Sequence, residues 1–235
     1  NGFILQLEHR LQKKRDHKGT KLKMIRVLVV DDHQLVRGGV VSILNQLGDV
    51  EVIGEADDGE HAITEAERLK PDVVLMDIIM PGIGGIEATR VIRRRFPDVQ
   101  VLAVTAMSKD PFPSQLHEAG ALGFVSKGCP ADELAKAVHA AADGRPFVSR
   151  DVAQRMALAR FSDDEDSPVS RLSSRELQVM LMIVKGVSNQ EISEQLFLSP
   201  KTVSTYRHRL YEKLDVGNDV ELTHFALRHG IVELR

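Results

Sequence analysis

The chain has 235 residues, of which 43% are hydrophobic, and a formal net charge of -3. A single cysteine, Cys129, excludes an intrachain disulfide framework and a multi-cysteine metal site. No apolar run approaches the roughly 20 residues that a membrane span requires, and the N-terminal apolar patch is too short for a signal peptide. The composition predicts a soluble, cytoplasmic protein of two unequal domains, or of one domain with extensions.

Residues 1–23 differ from the rest of the chain because they are basic and polar, with seven Lys or Arg against two acidic residues. They end just before Met24, which is the pattern of a start assigned too far upstream or of an expression remnant. A surface-binding amphipathic arm is the alternative. We expect this leader to lie outside the fold.

From residue 24 to residue 146, short apolar strands alternate with amphipathic helices. The strands are apolar on both faces, which indicates a parallel sheet covered by helices on both sides. Five strands and five helices in this stretch predict one doubly wound α/β domain.

A further helix is predicted from Ser149 to Arg160, and an acidic stretch follows it. The letters FSDDEDSPVS over residues 161–170 are typical of a solvated, flexible linker. Residues 147–170 are therefore expected to join two domains.

The pattern after residue 170 is entirely helical. Ser173 and Ser188 each stand three residues before a glutamate, so each predicts a capping box at a helix start. Ser199 followed by Pro200 predicts a third helix start, and residues 218–228 a fourth helix. Four short helices in residues 171–235, with a tight turn between the second and third, indicate a helix-turn-helix domain.

Polar residues stand where four of the predicted strands end. Asp31 and Asp32 follow the first strand, Asp77 the third, Thr105 the fourth and Lys127 the fifth. In an open parallel sheet this edge binds ligands, and a 2-1-3-4-5 strand order brings the three carboxylates together. Oxygen ligands with no histidine or cysteine among them suit Mg²⁺.

Asp77 is the natural acceptor for a phosphoryl group, because it lies between the metal-binding pair and the pair formed by Thr105 and Lys127. A single aspartate after a strand is more often a helix cap. The prediction therefore depends on the joint pattern at four strand ends.

The segments LVVDDH, VVLMDIIMPGIGG, VLAVT and GFVSKG resemble the receiver domain of bacterial two-component response regulators over residues 24–146. The resemblance implies that a sensor histidine kinase phosphorylates Asp77. It implies a Mg²⁺ site formed by Asp31, Asp32, Asp77 and the backbone carbonyl of Ile79. It also implies a phosphate-binding and switch group formed by Thr105, Phe124 and Lys127.

An enzyme is the alternative for this pocket. Phosphatases of the haloacid-dehalogenase type also use an aspartate nucleophile after a strand. They need a second aspartate two residues later, where this chain has Ile79. We therefore expect a regulator rather than an enzyme.

The helix predicted after Ser199 has one packed face and one outer face of short hydroxyls and cations, which can enter a major groove. Its local charge between residues 199 and 213 is +3. A solvated helix with ordinary charges is the alternative for this face alone.

The segment LSSRELQVMLMIVKGVSNQEISEQLFLSPKTVSTYRHRLYEKLDV resembles the LuxR-type helix-turn-helix, which with a receiver defines the NarL/FixJ group. SPKTVSTYRHRLYEKL and DVELTHFALRHGIV are most similar to the GacA/UvrY/SirA subgroup. The resemblance implies a transcription activator that binds double-stranded promoter DNA of small regulatory RNA genes, with RNA polymerase as a further partner. The DNA-contacting residues carried over by position are Lys201, Thr202, Ser204, Thr205, His208, Arg209 and Lys213. A module that binds another protein instead of DNA is the alternative.

The last predicted helix has two apolar faces, one with Val220 and Leu227 and one with Leu222, Phe225 and Ala226. A small four-helix domain needs one face for its core, so we expect a second face to join two chains into a homodimer after phosphorylation. Leu222, Phe225 and Ala226 are the candidates for this interface, and burial of both faces is the alternative.

The predicted linker cannot transmit strain by itself, because a disordered chain has no second rigid state. We therefore expect the two domains to communicate through contact or dimerisation. In the resting state, the receiver is expected to cover part of the recognition helix or to hold the chain monomeric.

Overall fold

The computed structural model of the chain describes residues 24–105, 112–159, 168–229 and 231–232. Its strands are β1 (Ile25–Val30), β2 (Val50–Ala56), β3 (Val73–Asp77), β4 (Gln100–Thr105), β5 (Gly123–Ser126) and β6 (Phe147–Val148). They form one parallel sheet in the order β2-β1-β3-β4-β5-β6. The predicted parallel sheet is confirmed.

The structure adds a sixth strand to the predicted five. β6 has two residues and pairs in parallel with Gly123 and Phe124 of β5. A Cβ atom on Gly123 would lie 2.1 Å from the carbonyl oxygen of Phe147, so this pairing depends on glycine. So short a strand has no periodicity that sequence reasoning could detect.

Helices cover both faces of this sheet. The helices of the first domain are α1 (Gln34–Leu44), α2 (Gly59–Leu69), α3 (Gly84–Arg95), α4 (Phe112–Glu118), α5 (Ala131–Ala142) and α6 (Arg150–Ala159). α1 and α5 share an apolar core with Val27 and Leu75, whereas α2 and α3 share one with Leu28 and Val74. Successive residues of one strand are therefore buried on opposite faces, as a doubly wound sheet requires.

The segment between the domains ends in a short helix. A 3-10 helix covers Pro168–Arg171, and its first three residues fall in the stretch that the sequence predicts to be a flexible linker. Val169 is 1% exposed and belongs to the same buried cluster as Leu172. Its apolar side chain therefore anchors the C-terminal end of the connecting segment in the core. The leader, residues 1–23, and linker residues 160–167 lie outside the described residues.

The second domain is helical, and side-chain caps define where its helices begin. Its helices are α7 (Ser174–Val184), α8 (Asn189–Gln195), α9 (Pro200–Leu214) and α10 (Asp219–Arg228). Both predicted capping boxes are confirmed. The side chains of Ser173 and Ser188 each accept a hydrogen bond from the backbone N–H of the glutamate three residues later, and that glutamate's carboxylate accepts one from the serine backbone N–H. Ser199 caps α9 by accepting from the N–H of Thr202.

α9 has 15 residues, more than any other helix in the described ranges. Within those ranges, no helix has the length and apolar composition needed to cross a membrane.

Candidate functional site

The polar residues predicted at the strand ends converge at one edge of the sheet. Asp31 and Asp32 follow β1, and Asp77 ends the neighbouring β3. The Nζ atom of Lys127 lies 2.7 Å from Asp31 Oδ2 and 2.8 Å from Asp77 Oδ2. Thr105 ends β4, next to β3, and is 3% exposed. The structure therefore brings Asp31, Asp32, Asp77 and Lys127 into one pocket, with Thr105 at the end of the next strand.

Asp77 lies in surroundings that disfavour its charged form. Burial raises the pKa of its carboxyl to about 6; Lys127 counteracts this shift, while Asp31 and Asp32 add to it. Burial also acts to lower the pKa of Lys127, but Asp77 and Asp31 outweigh it and raise that pKa. Asp31 and Asp77 share this ammonium, and Asp32 lies beside them. A divalent cation would therefore suit the charge and the donor set of the pocket.

A histidine joins the carboxylates, although sequence reasoning counted none among the ligands. Donor atoms of Asp31, Asp32, His33 and Asp77 all lie within 4.8 Å of one another. Nδ1 of His33 is 2.8 Å from Asp32 Oδ1, and the His33 backbone N–H donates to Asp31 Oδ1 at 2.8 Å. The signal for this residue is its position directly after Asp32 in the chain.

The other two residues expected near the phosphoryl group are apolar. Ile79, two residues beyond Asp77, is partly buried and packs against an apolar cluster that both domains share. Phe124 on β5 is 6% exposed and belongs to the same cluster as Val152 of α6. The start of the connecting helix therefore packs in the same core as the expected switch residue.

The outer face of α9 is open to solvent. The exposed residues among those expected to contact DNA are Lys201, Ser204, Thr205, His208, Arg209 and Lys213. Thr202 is partly buried, and its hydroxyl lies 2.8 Å from the Ser199 hydroxyl. Lys213 differs, because its Nζ lies 2.7 Å from the carboxylate of the buried Glu176. This lysine is therefore directed toward its own domain.

The expected dimer residues are buried in the helical domain. Leu222, Phe225 and Ala226 are at most 5% exposed and lie in the apolar core. Their spacing along the chain puts them on the one face of α10 that packs against α7, so they are not available to a second chain. This burial corrects the prediction that these three residues form the homodimer interface. Val220, on another face, is 64% exposed.

The two domains share an apolar contact, formed by residues that sequence reasoning did not identify. Ile78, Ile86 and Phe112 of the first domain belong to one buried cluster with Leu177 and Leu181 of α7. The same residues line the narrow cleft between the domains. A continuous core therefore crosses from one domain to the other.

Hydrogen bonds cross the same contact. The Gln178 side chain donates to the Met80 carbonyl at 2.8 Å, and Arg175 donates to the Gly82 carbonyl at 2.6 Å. The N–H of Gly82 donates to the Gln195 carbonyl at 2.8 Å. These groups lie on α7 and at the end of α8, so the contact leaves the outer face of α9 exposed. In the described structure the first domain therefore does not cover the outer face of α9. The alternative expectation, that the receiver holds the resting chain monomeric, stays a prediction.

Protein-family models match both parts of the chain. The model of the response regulator receiver domain matches residues 27–139. The model of bacterial regulatory proteins of the luxR family matches residues 170–226.

Individual proteins are similar along most of the chain. The response regulator GacA of Pseudomonas protegens is 49% identical over 210 residues, which cover 89% of this chain and 99% of the relative. The response regulator UvrY of Escherichia coli is 48% identical over 209 residues, covering 88% and 96%. Among solved structures, RcsB of Salmonella enterica serovar Typhimurium, bound to a promoter in the presence of a phosphomimetic, matches with a TM-score of 0.66 and 28% identity, covering 87% and 98%.

Proposed function

The chain belongs to the response regulators that join a receiver domain to a LuxR-family DNA-binding domain, and we propose that phosphorylation of Asp77 by a sensor histidine kinase controls its binding to promoter DNA. We assign residues 24–146 to the receiver, residues 147–170 to the connection and residues 171–235 to the DNA-binding domain. The observation that carries the proposal is the buried Asp77 carboxylate, 2.8 Å from the Lys127 ammonium.

Phosphoryl transfer to an aspartate requires an ionised carboxylate and positive charge for the incoming oxygens. Because the pKa of Asp77 is about 6, its carboxyl is mostly ionised at neutral pH. One carboxylate oxygen attacks the phosphorus of a phosphohistidine, the phosphorus–nitrogen bond breaks, and the nitrogen keeps the bonding electrons. Lys127 and the hydroxyl of Thr105 then bind the phosphoryl oxygens.

We propose that Asp31, Asp32, Asp77 and the backbone carbonyl of Ile79 bind Mg²⁺. The charge of the pocket supports this site, because three carboxylates lie close together and the Lys127 ammonium pairs with two of them. Bound Mg²⁺ supplies further positive charge for the phosphoryl oxygens.

Replacement of the acceptor tests the proposal directly. We expect Asp77→Asn to abolish labelling by acetyl phosphate or by a kinase, because an amide oxygen is a poor nucleophile. Intact-protein mass spectrometry measures the label. Asp57→Asn is the control, because Asp57 follows β2 at the same sheet edge and its side chain is 64% exposed. Labelling that persists in Asp77→Asn would show that another residue is the acceptor.

For the DNA-binding domain, we propose that α9 enters the major groove with its exposed outer face. Ser204, Thr205 and His208 would face bases, and Lys201 would contact a phosphate. Thr202 and Arg209 complete the proposed interface, and Lys213 reaches a phosphate only if its ammonium leaves Glu176.

Loss of one phosphate contact should weaken binding to every DNA sequence alike. The logarithm of the DNA-binding constant falls linearly with the logarithm of the salt concentration. We expect Lys201→Ala to make this slope shallower by about one. Gel shifts over a salt series measure this. Lys136→Ala is the control, because this exposed lysine pairs with Asp132 on α5 of the receiver. If Lys201→Ala and Lys136→Ala change DNA binding equally, or if the gel shift does not depend on the DNA sequence, the alternative of a protein-interaction module is favoured.

We propose that the phosphorylated chain binds an inverted-repeat promoter as a homodimer in the cytoplasm and recruits RNA polymerase. The structural similarity to RcsB on a promoter with a phosphomimetic supports the link between phosphorylation and DNA. Small regulatory RNA genes are the targets that the sequence resemblance implies. Genome-wide recovery of the DNA bound by this protein tests them.

A further inference from the structure

His33 lies at the open side of the carboxylate pocket. Its side chain is 63% exposed and that of Asp32 27%, whereas the side chains of Asp31 and Asp77 are each 6% exposed. Lys127 pairs with the two buried carboxylates. The imidazole and the Asp32 carboxylate are therefore the groups that an ion from solvent meets first.

One pair of donor atoms, from His33 and Asp32, has nearly the spacing of two neighbouring ligands on one metal ion. Nδ1 of His33 lies 2.8 Å from Asp32 Oδ1 and 3.5 Å from Asp31 Oδ1. Two donors that bind one metal at right angles, each at about 2.1 Å, lie roughly 3.0 Å apart. Donor atoms of Asp77 also lie within 4.8 Å of this group. Small side-chain movements would therefore let one ion contact the imidazole and the carboxylates together.

We propose that Nδ1 of His33 is a metal ligand, and that it makes the pocket prefer late first-row divalent ions, represented by Co²⁺, over Mg²⁺. The inference rests on the metal site proposed above and adds a nitrogen donor to its oxygen ligands. Imidazole nitrogen binds late first-row divalent ions well, whereas Mg²⁺ prefers oxygen. When the nitrogen–metal bond forms, any proton on Nδ1 is released to solvent.

A different role for His33 would use the same distances. Its ring N–H would donate to Asp32 and orient that carboxylate, as outer groups do at many metal sites. The two roles differ in their effects. Orientation of Asp32 acts on every metal alike, whereas direct ligation acts mainly on metals that prefer nitrogen.

Isothermal titration calorimetry on the full chain distinguishes these roles. We expect His33→Gln to weaken Co²⁺ binding by about tenfold or more, and to change Mg²⁺ binding by less than about twofold. His61→Gln is the matched control, because Nδ1 of His61 lies 3.0 Å from Asp57 Oδ1 in an exposed pair. It should leave the binding of both ions unchanged. Both histidines are exposed, so neither change removes a core side chain.

Pulsed electron paramagnetic resonance of the Mn²⁺-loaded chain gives an independent readout. We expect a nitrogen coupling from the imidazole in the unmodified chain and its loss in His33→Gln. Equal weakening of both ions in the titration, or a nitrogen coupling that persists in His33→Gln, would overturn direct ligation by His33. If the unmodified chain binds neither ion, the proposed metal site itself fails, and this inference fails with it.

Discussion

At the scale of single residues, His139 on α5 links stability to pH. Its Nδ1 lies 2.6 Å from the Ala135 carbonyl, and its Nε2 lies 2.8 Å from Asp49 Oδ2. Both partners accept hydrogen bonds, so they favour the ring with a proton on each nitrogen. Burial acts to lower the pKa of His139, but Asp49 and the carbonyl outweigh it and raise that pKa.

A raised histidine pKa gives stability that is fully present below the unfolded-state pKa, about 6.5, and is lost as pH rises through the folded-state value. We therefore expect His139→Gln to lower the free energy of unfolding at pH 6 and to change it little at pH 9. Chemical denaturation at both pH values measures the difference. Asp49→Asn, which removes the partner, should show the same trend. A difference that is equal at both pH values would contradict this role.

At the scale of elements, two substitutions on α10 separate its core face from its exposed face. Leu222 is fully buried, so Leu222→Ala should lower the free energy of unfolding by about 2–5 kcal/mol.

Val220→Asp should change the free energy of unfolding by less than about 0.5 kcal/mol, because the Val220 side chain is 64% exposed. It should also weaken dimer formation on inverted-repeat DNA, measured by analytical ultracentrifugation. Normal dimerisation of Val220→Asp would exclude this face as the interface.

The features that sequence could predict are those that a local pattern determines. The serine caps at Ser173 and Ser188 depend on residues within one helical turn, and the polar strand ends follow from parallel pairing. The choice between the two apolar faces of α10 depends on packing against α7, and it was predicted wrongly. The bond from Gln178 to Met80 joins residues 98 positions apart, and neither position has a distinctive pattern.

At the scale of the whole molecule, the contact between the domains determines how readily they separate. Gln178 is 8% exposed and donates to the carbonyl of Met80, in the loop that follows Asp77. We expect Gln178→Ala to open the contact, because a buried carbonyl loses its donor. Limited proteolysis between the domains should then be several-fold faster. Gln190→Ala is the control, because this exposed amide bonds to Glu194 in its own domain. If Gln178→Ala and Gln190→Ala are cleaved at the same rate, the hydrogen bond from Gln178 to Met80 does not hold the domains together.

The short connection between the end of α6 and the 3-10 helix limits how far the domains can separate. Eight residues, 160–167, lie between Ala159 and Pro168. At about 3.3–3.6 Å per residue, this connection reaches at most roughly 30 Å. Such confinement corresponds to an effective concentration in the millimolar range. A contact with a millimolar Kd is too weak to join two separate proteins in dilute solution. Within one chain, it is then formed in about half of the molecules. A change of about 1.4 kcal/mol shifts that equilibrium tenfold in either direction.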